Sequence, residues 1–308
     1  MRRAFSDTLT HIAKTNEKLV FLTGDLGFQV FTEFEELFPE RYINAGIAEA
    51  QLATCATGLA LDGFRPVIYS IASFMTGRAF EQIRVSINYH KAPVLVVGAG
   101  GGYIYSNSGV THHAAEDLAL MSLLPDMQIL NPGSPAEVTA LLHQYFASDK
   151  PAYMRVGRFG EPEYDALEDI ELGKARKVRD GQKLLLLSTG DCVIQSDKAA
   201  QQLQDTFGLS ISHLQFHTLT PFDHETLDAY LSSYDKVIVV EDHFPQGGLY
   251  SRVMERIVQN PALSIELHRL GPSHELLLGA PSLSETKAKY GYNQETIFSL
   301  CKKLLNVQ

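Results

Sequence analysis

Short apolar runs recur along the chain, separated by longer stretches in which apolar positions return every third or fourth residue. The runs KLVFLTG (18–24), RPVIYS (65–70), APVLVVGA (92–99), MQILNP (127–132) and PAYMRV (151–156) read as buried strands. Helical periodicity fills the intervals near 45–62, 74–89, 115–123 and 134–148. Strand and helix alternating in this way predicts a parallel sheet with crossover helices. The pattern lapses in the charged stretch RFGEPEYDALEDIELGKARKVRDGQ and then restarts with KLLLLSTG (183–190), a helix near 191–207, LSISHLQ, DKVIVVEDH, a helix near 248–258 and LSIELHRLG. The reading is an α/β protein of two domains, each a mainly parallel sheet flanked by helices. Residues 1–165 form the first, 166–182 a linker and 183–308 the second.

Glu49 interrupts the apolar pattern. In INAGIAEAQLATCATGLALDG (43–63) it opens a helix of small apolar residues, and Leu52, Ala53, Ala56 and Ala60 follow it on one face. A carboxylate on that face is costly without a partner, supplied either by the protein or by a ligand.

Composition narrows the choices. The chain has 308 residues, 45% apolar and 20% charged, enough for substantial cores. A net charge of −10 with no Lys/Arg run disfavours a nucleic-acid surface and leaves small molecules or protein as partners. The three cysteines, Cys55, Cys192 and Cys301, are far apart, which argues against a disulfide framework or zinc cluster and points to a reducing, cytoplasmic setting. The N-terminal MRRAFSDTLTHIAKT is amphipathic, and no apolar run approaches about 18 residues, so neither a signal peptide nor a membrane span is expected. No fixed-period repeat is present.

Several motifs carry candidate chemistry. VVGAGGGYIYSNSG follows a strand but lacks G-x-G-x-x-G spacing, and reads better as a flexible loop lining a cleft than as a nucleotide turn. In GVTHHAAEDLAL, His112 and His113 suggest an active-site imidazole more than a metal pair. Phe74, Arg78 and Gln82 share a helix face, as core and surface charge or as a binding face. Arg155 and Arg158 close a strand, as an anion clamp or as solvated charges. VVEDHFPQGGLYSRV is a binding loop or a tight strand-to-helix connection. The Walker A, G-x-S-x-G and H-E-x-x-H motifs are absent.

Taken in order, TGDLG, RYINAGIAEAQLATCATGLALDGFRPVIYS, SFMTGRAFEQIR, GVTHHAAEDLALMSLLPDMQILNPGSPAEV and PAYMRVGRFGEP resemble the C-terminal half of a transketolase, over nearly the whole chain. The resemblance implies a thiamine-diphosphate pyrimidine-binding domain followed by a transketolase-type C-terminal domain. Glu49 stands at the position of the catalytic glutamate that hydrogen-bonds N1′ of the aminopyrimidine and promotes removal of the thiazolium C2 proton. Phe74 matches a residue that stacks on that ring, and Ile71 and Gly77 stand at positions usually aromatic in the family. Asp25 matches a carboxylate near the cofactor at the subunit interface, and Arg78 falls in the same cofactor-binding set. His112 keeps a catalytic and substrate-binding histidine. Gly100 replaces another histidine and Ser108 a sugar-binding aspartate, leaving room or polarity for an unusual or unphosphorylated sugar. Arg158 matches an arginine that binds an acceptor's phosphate.

The Gly-Asp-Gly segment with which the family binds diphosphate and metal does not occur. The resemblance therefore implies a separate subunit carrying that domain and the Mg²⁺ or Ca²⁺ ligands, in an α₂β₂ heterotetramer. The expected activity is transfer of a two-carbon ketol unit from a ketose to an aldehyde. Alternatives on the same scaffold are a 2-oxoacid dehydrogenase E1 β subunit, a deoxyketose synthase-like carboligase with a pyruvate-derived donor, or a non-catalytic regulatory subunit.

Overall fold

The structure is a computed structural model that describes residues 1–27, 29–158 and 170–307. In its first part α1 (Arg2–Ala13), β1 (Leu19–Thr23), α2 (Thr32–Leu37), β2 (Tyr42–Asn44), α3 (Glu49–Leu61) and β3 (Arg65–Ile71) are followed by a helical segment containing α4 (Phe80–Gln82). Then come β4 (Leu95–Ala99), α5 (Asp117–Ser122), β5 (Gln128–Leu130), α6 (Pro135–Phe146) and β6 (Ala152–Val156). The second part runs β7 (Arg176–Arg179), β8 (Leu185–Ser188), α7 (Cys192–Phe207), β9 (Ser212–Gln215), β10 (Thr218–Thr220), α8 (His224–Leu231), β11 (Lys236–Val240), α9 (Leu249–Gln259), β12 (Glu266–Leu270), α10 (Leu283–Lys289) and α11 (Gln294–Leu305).

Among the described residues the strands form two sheets, ordered β10-β5-β6-β4-β3-β1-β2 and β12-β11-β8-β9-β7. The pairings are parallel except for β10 on β5 and β7 on β9. Every residue of β1, β4 and β6 is buried, as expected of strands covered on both faces. The Thr23, Ile71 and Ala99 ends of β1, β3 and β4 lie side by side, so the loops that follow them converge along one rim.

The two halves interlock. Strand β10, from the second half, closes the edge of the first sheet through Thr218 opposite Leu130. The expected linker at 166–182 contains β7, an edge strand of the second sheet. The first domain's expected end at 165 and the first part of that linker lie outside the described residues. Arg155 is buried between the halves, donating through Nε to Asp117 Oδ2 at 3.0 Å, through Nη2 to Asp117 Oδ1, and through Nη1 to the Asp242 carbonyl at 3.0 Å. Tyr153 donates to the same carboxylate at 2.6 Å. The expected pairing of Arg155 with Arg158 is thereby corrected: one is locked in the interior and the other is exposed. Glu241 plays a comparable local part, accepting from Arg269 Nε at 2.9 Å and from Leu249 N at 2.8 Å, so VVEDHFPQGG is a strand-to-helix connection.

His243 joins α5 to the second sheet. Its Nε2 accepts from Ala119 N at 3.2 Å and its Nδ1 donates to the Phe244 carbonyl at 2.7 Å, which is the neutral tautomer. Burial, reinforced by the charge of Arg155, pulls its pKa down to about 4. The unfolded chain therefore binds the proton first, and this contribution to stability is complete above about pH 6.5 and is lost as pH falls toward 4. His243→Gln should flatten the pH dependence of stability in that window by up to about 1.4 kcal/mol per pH unit. Urea denaturation of both proteins at several pH values in the window measures the difference.

Candidate active site at the rim of the first sheet

Glu49 is the first residue of α3 and only 1% exposed, and the face containing Leu52, Ala53, Ala56 and Ala60 is buried as its spacing predicts. Protein groups meet both of its oxygens. Ser70, near the end of β3, donates to Oε1 at 3.0 Å, and Arg78 Nη1 donates to Oε2 at 2.8 Å. Gly24, before Asp25, faces the same carboxylate from the end of β1.

The segment after β3 departs from the regular helix expected over 74–89. Phe74–Arg78 and Ile83–Asn88 are π-helical turns on either side of the short α4. The Thr76 hydroxyl donates to the Ala72 carbonyl at 2.8 Å and competes for a backbone acceptor, a recognised cause of irregular helix geometry. Wide turns of this kind are frequent at functional sites. Here the Arg78 guanidinium lies 4.8 Å from the centre of the Phe74 ring while still reaching Glu49. Gln82 joins none of these contacts.

The histidine pair separates. His113 is buried, its Nε2 3.1 Å from the Ser106 carbonyl oxygen, and burial lowers its pKa. His112 instead faces Phe74, with ring centres 5.1 Å apart, and its Nδ1 lies 2.9 Å from the Thr111 hydroxyl. Ser73 donates to the Thr111 carbonyl at 2.9 Å, tying the two loops together. Glu49, Ser70, Phe74, Arg78 and His112 thus form one connected group.

Other candidates sit around it. Asp25 adopts φ +60° and accepts from Asn44 Nδ2 at 2.9 Å. It lines a cleft of about 360 Å³ together with Gln29, Thr32, Glu35 and Tyr42. Ile71 ends β3 beside Ala99. Ser108 is exposed in a short turn and Arg158 is exposed beyond β6, its guanidinium 5.3 Å from the centre of the Tyr105 ring. The glycine loop is closely packed, which corrects the expectation of a flexible one. Gly100 has φ +71°, and a Cβ there would overlap the Tyr105 ring; at Gly101 it would overlap Arg155, and at Gly102 Asp242. The expected room at Gly100 is therefore filled. Ser70 and Tyr105 lie inside the quoted stretches RPVIYS and VVGAGGGYIYSNSG, but nothing in their spacing singles out either side chain as facing the site.

Residues 1–159 match the transketolase pyrimidine-binding domain, and residues 173–297 match the transketolase C-terminal domain. The chain belongs to the transketolase family. It is similar to one of the subunits of the apulose-4-phosphate transketolase of Phocaeicola vulgatus, with 30% identity over 99% of this chain and 96% of that one. The 6-deoxy-6-sulfo-D-fructose transketolase subunit SqwH of a Clostridium species is 31% identical over 88% of this chain and 84% of that one. A solved structure described as a split gene transketolase, inactive beta4 tetramer, superposes with a TM-score of 0.89 at 31% identity, covering 99% of this chain and 98% of that one. The chain is accordingly a transketolase subunit of the split type, and its family implies thiamine diphosphate.

The site suits one half of that cofactor. A buried carboxylate beside an aromatic face fits an aminopyrimidine, which needs a hydrogen-bonding partner at a ring nitrogen and a flat apolar wall. Arg78, half-exposed on a flexible stem, can give that face up to a ring. Among the described residues no group of three or more His, Cys, Asp or Glu could hold a metal ion, and no helix is long and apolar enough to cross a membrane.

Proposed function

We propose that this subunit, joined to a partner carrying the diphosphate-binding domain, transfers a two-carbon ketol unit from a ketose to an aldehyde in carbohydrate metabolism. The observation that carries the reading is the buried Glu49, held by Ser70 and Arg78 beside the Phe74 ring and within one connected group with His112. When bound, thiamine diphosphate supplies the nucleophilic thiazolium carbon that accepts and passes on the ketol unit. Glu49 holds a proton at N1′, Ser70 orients its carboxylate, and Phe74 stacks on the pyrimidine once Arg78 withdraws from that face. His112 would hydrogen-bond the oxygen of the reacting carbonyl, give it a proton as the carbon is attacked and take the proton back when the carbonyl re-forms. Asp25 lines the approach at the subunit interface, Ile71 closes the ring pocket and Ser108 borders the substrate, while Gly100 backs the Tyr105 ring and Arg158 lies beyond it.

The assembly we infer is an α₂β₂ heterotetramer with active sites at subunit interfaces, the Mg²⁺ or Ca²⁺ ligands being on the partner. The three cysteines are free, in keeping with a cytoplasmic location.

The isolated chain should bind thiamine diphosphate weakly and show no turnover, and adding the partner subunit should restore both. With a ¹³C-labelled ketose donor and an aldehyde panel, the assembled complex should give products that carry two donor carbons. Carbon dioxide release from pyruvate would favour a carboligase or dehydrogenase subunit. Neither product nor C2–H exchange would mean a non-catalytic subunit.

A further inference from the structure

The run Gly100-Gly101-Gly102 admits three side chains, each lying where a Cβ would have to be. Arg155 and Asp242 belong to the buried contact between the halves. The third, Tyr105, lies toward the active site. Its ring centre is 6.0 Å from that of His112, edge to face, and 5.3 Å from the Arg158 guanidinium. Phe74, His112, Tyr105 and Arg158 thereby form a continuous row leading from the catalytic glutamate's neighbour to an exposed cation.

The ring has little freedom. It is 9% exposed, Gly100 closes the space behind it, and the Tyr105 carbonyl accepts from Ser108 N at 2.8 Å, which fastens its backbone in the turn.

We propose that Tyr105 is the specificity-determining wall of the sugar site, its ring restricting the site to short-chain aldehyde substrates. The proposal rests on the thiamine-dependent ketol transfer argued above, which puts the reacting carbon beside Phe74 and His112. A substrate extending from there along the row meets the ring before it reaches Arg158. Because Gly100 prevents the ring from retreating, extra carbons in that direction collide with it, while a two- or three-carbon aldehyde fits in front. The steric role belongs to the ring and does not need the hydroxyl.

The test uses the complex assembled with its partner subunit and a panel of two- to five-carbon aldehydes. Tyr105→Ala should raise the kcat/KM ratio of the five-carbon to the two-carbon aldehyde by about 10-fold or more. Tyr105→Phe should keep the wild-type ratio. If Tyr105→Ala does not assemble, Tyr105→Leu, which removes the ring and leaves a side chain to fill the recess, should shift the ratio in the same direction. An unchanged ratio in an assembled ring-deleted complex that still exchanges the cofactor's C2 proton overturns the proposal. So does a Tyr105→Phe shift as large as that of Tyr105→Ala. Absence of C2–H exchange in the wild-type complex would instead overturn the underlying thiamine reading.

Discussion

Glu49→Gln is expected to slow C2–H exchange of bound thiamine diphosphate, and turnover with it, by about 10²–10⁴-fold while the two subunits still assemble. Glutamine keeps the volume on the face shared with Leu52, Ala53 and Ala56, and its amide oxygen still accepts from Ser70. It cannot hold or return a proton at N1′, and it forfeits the ion pair with Arg78. Stability should change far less than activity. Exchange at C2, followed by acid quench and proton NMR, reads the step without knowledge of the substrate. A Glu49→Gln complex exchanging at the wild-type rate would make Glu49 a structural acid and remove the central residue of the mechanism.

The second large effect concerns the buried join between the halves. Arg155→Ala should destabilise the chain by about 3–5 kcal/mol, the usual cost of removing one partner from a buried ion pair. Asp117, fully buried, would keep only the Tyr153 hydroxyl and the Leu118 amide as donors, and the Asp242 carbonyl would lose its donor. Lysine should not rescue it, because a single ammonium cannot span the Asp117 carboxylate and the Asp242 carbonyl as the guanidinium does. The shift in urea midpoint gives the magnitude. A loss below about 1 kcal/mol, the range of an exposed pair, would mean that water enters this contact and that the halves are held together by apolar packing.

Much of this protein was legible in its residues alone. Short apolar runs such as VFL and VLVV, bounded by turn residues, read as strands covered on both faces, and α7 carries a long helical period. Glu49 stood out because an acid on an apolar helix face has to be compensated, whatever compensates it. The order of motifs then pointed to the family, and the absence of Gly-Asp-Gly to a partner.

What the sequence did not disclose depends on residues far apart along the chain. The strand Thr218–Thr220 is too short to announce itself and exists because β5 offers it an edge. The π-turns on either side of α4 add residues to a helical segment whose apolar periodicity stays almost unchanged, and at the first of them the Thr76 hydroxyl shares the Ala72 carbonyl. The three glycines looked like a loop seeking a ligand, yet their missing Cβ atoms make way for Tyr105, Arg155 and Asp242, the last of these 140 positions beyond Gly102. Local periodicity determined the elements and singled out Glu49 because burial repeats with the geometry of one helix or strand. Which carboxylate Arg155 neutralises, and which ring stands against His112, was decided only when the sheets packed, since close packing and low dielectric act between neighbours in space.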